Sequence, residues 1–338
     1  MSRNWTRWLT GAGILLGVAS GALWRWQQRL LADLAAGSEL VETEHGTIEV
    51  ATRGSGYPVL VLHGTPGGYD QALFAGEAMF DGVQVIAPSR PGFLRTPLTD
   101  DGSPRAEAAL LDALLDDLDV EETLVVGISG GGPAALQLAA EYPERVSGLI
   151  LGAAVTIETE SRTYGVPVHP LVDPILTSAP ALALRSGVFG LLQRFAPDRL
   201  IEITHSKAST LEGDDLEAYV AFVTSNPEHR QRFLDMVSTV RPAGARVEGT
   251  LNDERWFEHL PLADYGAIEC PVLVLHGEFD APVPMTHATF VAERVPDAEL
   301  VRLEGDHFLM VGPDAERGGE AIQRFSESII ATSEQRTV

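Results

Sequence analysis

The stretch GISGGGPAAL, residues 127–136, sets one hydroxyl, that of Ser129, among four glycines. The apolar run Thr123–Val126 precedes it and an alanine-rich segment follows. This fits the pattern G-x-S-x-G, in which a strand ends, a serine turns outward on a strained bend and a helix begins. Small neighbours let the backbone fold that sharply and let a substrate carbonyl come close. A serine hydroxyl is a weak nucleophile until an imidazole takes its proton, and that imidazole needs an acid to fix its tautomer. In this architecture the partners follow in the order serine, acid, histidine. VLVLHGEFDAPVP supplies Asp280 just past one apolar run, and VRLEGDHFLM supplies His307 just past the next. Singly, Asp280 reads equally as a turn or N-cap residue and His307 as a surface loop histidine. Together, in order and each after a strand, they read as partners of Ser129.

LHGTPGG, residues 62–68, completes the set. A glycine-rich loop after a strand can aim a backbone N–H at the oxygen that turns negative during acyl transfer. The two donors assigned are the amides of Thr65 and Gly130, the latter following the nucleophile. No G-K-[ST] follows the loop, so a phosphate cradle is not indicated. His276 is a rival base, but it precedes the acid and ends a strand. Asp81 and Asp253 could replace Asp280 only in a different fold. The remaining histidines lack metal-site spacing. The chemistry expected is ester or small acyl hydrolysis without cofactor or metal, with an apolar entrance drawn from Phe189, Leu191, Leu192 and Phe195.

These residues need a scaffold that delivers them to one edge. Val59–Leu62, Val83–Ala87, Leu124–Ile128, Leu149–Leu151 and Val272–Leu275 are short, continuous apolar runs, as expected of parallel strands covered on both faces. Helix candidates at 69–80, 105–119, 131–141 and 285–294 alternate with them, Pro104 and Pro133 standing near helix starts. The rhythm predicts an α/β fold with functional groups at the carboxyl ends of its strands. Thr43–Ala51, with its His-Gly turn, predicts a hairpin at the leading edge. Between 156 and 262 no buried strand is evident, while Leu182–Phe195 and Asp214–Val223 read as helices. The organisation expected is therefore an N-terminal segment at 1–30, a core at 40–155, a helical cap at 156–262 and the rest of the core at 263–332.

The chain has 338 residues and a net charge of −24, with 48 acidic against 24 basic residues. Such a surface repels phosphate backbones, which argues against nucleic acid as a partner and leaves a small acyl molecule. Lys207 is the only lysine and Cys270 the only cysteine, which excludes a P-loop lysine and an intrachain disulfide. Cys270 reads as a small residue entering a strand. From Trp8 to Trp24 the chain carries no charge, with Arg3 and Arg7 before it and Arg25 and Arg29 after. Tryptophans at both ends suit a membrane-anchoring helix, with a cleaved secretory signal as the alternative.

Taken together, these motifs resemble the α/β-hydrolase family over roughly residues 45–330. HGTPGG looks like the oxyanion loop of proline iminopeptidase-like and epoxide-hydrolase-like members, which have helical caps. APSRPGFLRTPL is similar to the loop after the fourth strand, GISGGGPAALQLAAEYPERV to the nucleophile elbow and ECPVLVLHGEFDAPVP to the acid-bearing segment. The resemblance implies that His63 braces the oxyanion loop. Epoxide hydrolases and haloalkane dehalogenases carry aspartate where Ser129 stands, which argues against both chemistries here. An aminopeptidase reading would need a cap acid to hold a substrate amine; Glu202, Glu212, Asp214 and Asp215 are the candidates.

Overall fold

A computed structural model of the chain describes residues 21–98, 101–159 and 173–336. The sheet has eight strands: β1 (Glu39–Thr43), β2 (Gly46–Gly54), β3 (Pro58–Leu62), β4 (Gln84–Pro88), β5 (Thr123–Ile128), β6 (Val146–Gly152), β7 (Val272–Gly277) and β8 (Ala298–Leu303). Their spatial order is β1-β2-β4-β3-β5-β6-β7-β8. The hairpin β1–β2 turns at Thr43↔Gly46 and β2 meets β4 antiparallel; every other pairing is parallel. Strand β7 is buried at all six positions, so its run of valine and leucine has no polar alternation. The strand order and helix-covered faces are those of an α/β-hydrolase fold.

A described helix at 21–36, α1, precedes the sheet. Helices α2 (Tyr69–Met79), α3 (Pro104–Asp117) and α4 (Gly132–Glu141) connect its first half. In α3 the Ser103 side chain accepts the Ala106 amide and proline opens the first turn, so two of the usual start signals coincide. Leu110, Leu111, Leu114 and Leu115 of α3 pack with α4 in one core cluster. Ala72 and Ala75 of α2 belong to a second cluster that also includes Val59, Val61 and Val126 of the strands.

After β6 the described chain is helical until β7. It runs through α5 (Asp173–Leu176), α6 (Ala179–Phe195), α7 (Pro197–Ala208), α8 (Gly213–Ser225), α9 (Pro227–Ser238) and α10 (Val247–Phe257). This unit, the cap, gathers Leu200, Ile201, Tyr219, Val223, Phe233, Leu234 and Val237 into a separate apolar cluster, which Val311 from the segment after β8 joins. Phe189 and Leu192 pack against that core, whereas Leu191 and Phe195 are 58% and 74% exposed. The four residues expected as one apolar entrance therefore divide between cap interior and open surface. Helices α11 (Thr286–Ala292) and α12 (Ala315–Arg336) complete the core.

Of the expected anchor Trp8–Trp24, only residues 21–24 are described, and they lie in α1; the remainder lies outside the described residues. No helix among the described residues is long and apolar enough to cross a membrane.

Candidate active site

Strand β5 ends directly at Ser129, which takes φ 48°, a left-handed conformation rare for a residue with a side chain. A short 3₁₀ turn, Ser129–Gly131, leads into α4. The surrounding glycines have steric reasons. A methyl on Gly130 would collide with Thr65 Oγ1, and one on Gly131 would stand 2.6 Å from the Leu62 carbonyl oxygen. The serine carbonyl accepts the Val155 amide at 2.9 Å, tying the turn to the chain beyond β6.

The loops after β7 and β8 bring Asp280 and His307 to the same edge. His307 Nε2 lies 3.0 Å from Ser129 Oγ, and His307 Nδ1 lies 2.8 Å from Asp280 Oδ2. Asp280 is buried, and its other oxygen accepts the Val283 amide at 2.8 Å. With Nδ1–H donated to the carboxylate, Nε2 presents its lone pair to the serine hydroxyl. Burial works against a positive charge on His307, but the Asp280 charge, its hydrogen bond and the nearby Asp306 charge outweigh it and raise the pKa above 6.5. His276 is otherwise engaged. Its Nε2–H donates to the Val283 carbonyl at 2.7 Å and stays 3.7 Å from Asp280, bracing the acid turn instead of facing the serine.

Thr65 stands next to Gly130, the residue that follows Ser129. Gly130 occupies the first turn of its helix, where amides have no intrahelical acceptor. His63 Nδ1–H donates to the Gly64 carbonyl at 2.8 Å and its Nε2 accepts the Arg90 amide at 3.0 Å. Burial first, then the Arg90 charge, pushes its pKa well below 6.5, so the ring is a neutral brace for the loop.

Beneath the loop lies a cluster that the sequence alone did not expose. The Thr65 hydroxyl donates to Asp253 Oδ2. Asp253 takes a bidentate pair from Arg90 at 2.8 and 3.0 Å, and Arg90 also meets Glu107 at 2.8 Å. All three charged side chains are buried. Asp253, which no fold-consistent triad could use, is the cap residue that fixes the Thr65 side chain. Its partners are remote in sequence, and only the serine-proline-rich loop around Arg90 carried any local signal.

The cap acids considered for an amine site, Glu202, Glu212, Asp214 and Asp215, are all solvent-exposed. Glu202 pairs on the surface with Arg199 of its own helix. None makes a polar contact with Ser129, Asp280 or His307 among the described residues. Cys270 is buried at the approach to β7, and burial raises its thiol pKa to about 12, leaving it inert.

Residues 57–312 match the family model described as alpha/beta hydrolase fold. The chain is 29% identical over 297 residues to the uncharacterized hydrolase YcgS of Bacillus subtilis, covering 86% of this chain and 98% of that one. It is 28% identical over 254 residues to 2-hydroxymuconate semialdehyde hydrolase of Pseudomonas putida, covering 73% and 79%. Among solved structures, an alpha/beta hydrolase fold protein from Nakamurella multipartita superposes with TM-score 0.75 at 28% identity, covering 87% and 99%.

Proposed function

We propose, from the premise that this chain belongs to the α/β-hydrolase family and is a hydrolytic enzyme, that it cleaves a carboxylic ester or similar small acyl substrate by way of an acyl-enzyme. The observation that carries this reading is the continuous chain of hydrogen bonds from Ser129 through His307 to Asp280, at 3.0 and 2.8 Å.

In the first half-reaction Ser129 Oγ bonds to the substrate carbonyl carbon while its proton passes to His307 Nε2. The carbonyl electron pair moves onto oxygen, where the amides of Thr65 and Gly130 receive it. Collapse of that adduct breaks the bond to the leaving alkoxide, which takes the proton from His307. Water then repeats the sequence: His307 removes its proton, hydroxide adds to the acyl carbon, and the Ser129 ester bond breaks as the proton returns to Oγ. Throughout, Asp280 holds the ring orientation and offsets the transient imidazolium charge.

A fluorophosphonate probe tests this directly, since it phosphonylates only an activated serine. Wild-type protein is expected to label and Ser129→Ala not to; equal labelling of both would rule out Ser129 as nucleophile. A panel of aryl esters and a prolyl arylamide then separates ester from aminopeptidase activity, and the exposed positions of the four cap acids favour the ester. The uncharged Trp8–Trp24 stretch supports membrane attachment on composition alone. Retention of the full chain in membranes after a carbonate wash is the expected result, and release into the wash speaks against it.

A further inference from the structure

Immediately before His307, a second polar cluster joins the cap to the histidine loop. His205, in the last turn of α7, and Asp306 are both 0% exposed. His205 Nδ1 lies 2.5 Å from Asp306 Oδ2. From α8, the Tyr219 hydroxyl donates to Asp306 Oδ1 at 3.4 Å and accepts the Asp306 amide at 3.3 Å. Asp306 Oδ1 also accepts the Phe308 amide at 2.9 Å. The two side-chain oxygens and the amide of Asp306 are thus all engaged on either side of the peptide leading to His307.

The His205 ring is stacked on Phe233 at 4.7 Å and meets the edges of Tyr219 and Phe308, each at 5.4 Å. Its Nε2 has no polar partner among the described residues. A buried lone pair is tolerated more readily than a buried N–H without an acceptor. The proton therefore sits on Nδ1, and His205 donates to Asp306. A carboxylate at zero exposure is costly even with such partners, and an apolar residue of similar size would serve packing better. Its cost suggests a role in the adjoining residue.

We propose that Asp306, clamped by His205 and Tyr219 from the cap, is a positioning residue that sets both the placement of His307 and the charge His307 experiences. This rests on the reading of His307 as general base. The other ionisable groups around the clamp and His307 are Tyr219 itself, Asp280, His276 behind Asp280 and Glu304 just after β8. The Asp306 charge adds to that of Asp280 in favouring the imidazolium. The cap thereby acts on the basicity of the histidine without touching it.

The test uses the full chain, an aryl ester and the dependence of kcat/KM on pH. Asp306→Asn keeps the size and the acceptor for Phe308 but removes the charge. Its acid limb is expected to move to lower pH, with kcat down by about tenfold and KM within about twofold. His205→Leu is expected to lose kcat similarly. His205→Asn, whose amide nitrogen stands near the place of Nδ1, is expected to recover most of it. An acid limb unmoved in Asp306→Asn, or kcat unchanged in His205→Leu, overturns the proposal. Should those variants fail to fold, Tyr219→Phe removes a single hydroxyl and is expected to lower kcat by about threefold; an unchanged kcat again overturns it. His307→Gln separates the two readings. If that variant still labels with fluorophosphonate, the triad reading falls and this one with it. If it is dead while Asp306→Asn behaves as wild type, only the Asp306 proposal falls.

Discussion

Ser129 holds a backbone conformation that costs an ordinary residue roughly 1–3 kcal/mol, and the return on that strain is a hydroxyl directed at a neutral imidazole. Two consequences at this scale are measurable. The first concerns Asp280: replacement by Asn leaves size and packing intact but removes the charge and permits the wrong histidine tautomer. A loss of about ten-thousandfold in kcat is expected, and a loss below tenfold would show that Asp280 does not orient His307. The second concerns pH. His307 must be neutral to accept the serine proton, and its folded-state pKa is raised, so kcat/KM should fall as pH drops through a value above 6.5. A rate profile flat down to pH 5 would contradict that. Ser129, Asp280 and His307 could be read from sequence because each follows a recognisable apolar run in a fixed order. Asp306 gave no such signal, since its partners His205 and Tyr219 approach from 101 and 87 residues away.

The loop after β3, the proposed oxyanion loop, is tied to α10, because Asp253 links the Thr65 hydroxyl to the buried Arg90. Two carboxylates share this guanidinium, and burial raises the pKa of both Asp253 and Glu107 despite its charge. Asp253→Asn removes one of two competing anions and keeps the side-chain shape, so its melting temperature is expected to stay near that of the wild type. Its kcat should nonetheless fall by about tenfold, since a loop amide aimed slightly wide forfeits part of the roughly 3 kcal/mol that such a donor supplies. Arg90→Met should show the reverse emphasis. It strands two buried carboxylates and is expected to cost on the order of 3–5 kcal/mol in denaturant unfolding. An Asp253→Asn protein with unaltered kcat would separate α10 from the loop's function. The strands and most core helices were legible because their apolar periodicity is local. This cluster was not, because Asp253 lies 163 residues beyond Arg90 and its role exists only once the cap has folded back.

Three buried histidines among the described residues share one response to acid. Burial lowers the pKa of His63, His276 and His287, the last to about 4. His287 Nδ1 accepts the Thr156 amide at 3.0 Å, a bond that protonation destroys. The unfolded chain takes up these protons near pH 6.5 while the folded chain refuses them, so their contribution is intact above that pH. It is lost as pH falls toward the folded values, by about 3 kcal/mol for His287 once pH 4 is reached. Glu107 and Asp253 act in the opposite sense, so the difference between wild type and His287→Asn isolates the effect. Asn retains an acceptor for Thr156 and cannot titrate. Its unfolding free energy should vary less between pH 7 and 4.5 than that of the wild type, and equal slopes would remove His287 from the account.

The cap grips the core at two loops that carry proposed site residues, through Asp253 under Thr65 and through His205 and Tyr219 around Asp306. Grafting a relative's cap onto this sheet would thus transplant more than new walls for a pocket. A chimera lacking counterparts of those three side chains inherits a guanidinium left with Glu107 alone, a Thr65 hydroxyl without its acceptor and an unclamped carboxylate. Shape alone cannot make such caps interchangeable; the donor must also carry matching anchors for Arg90 and Asp306.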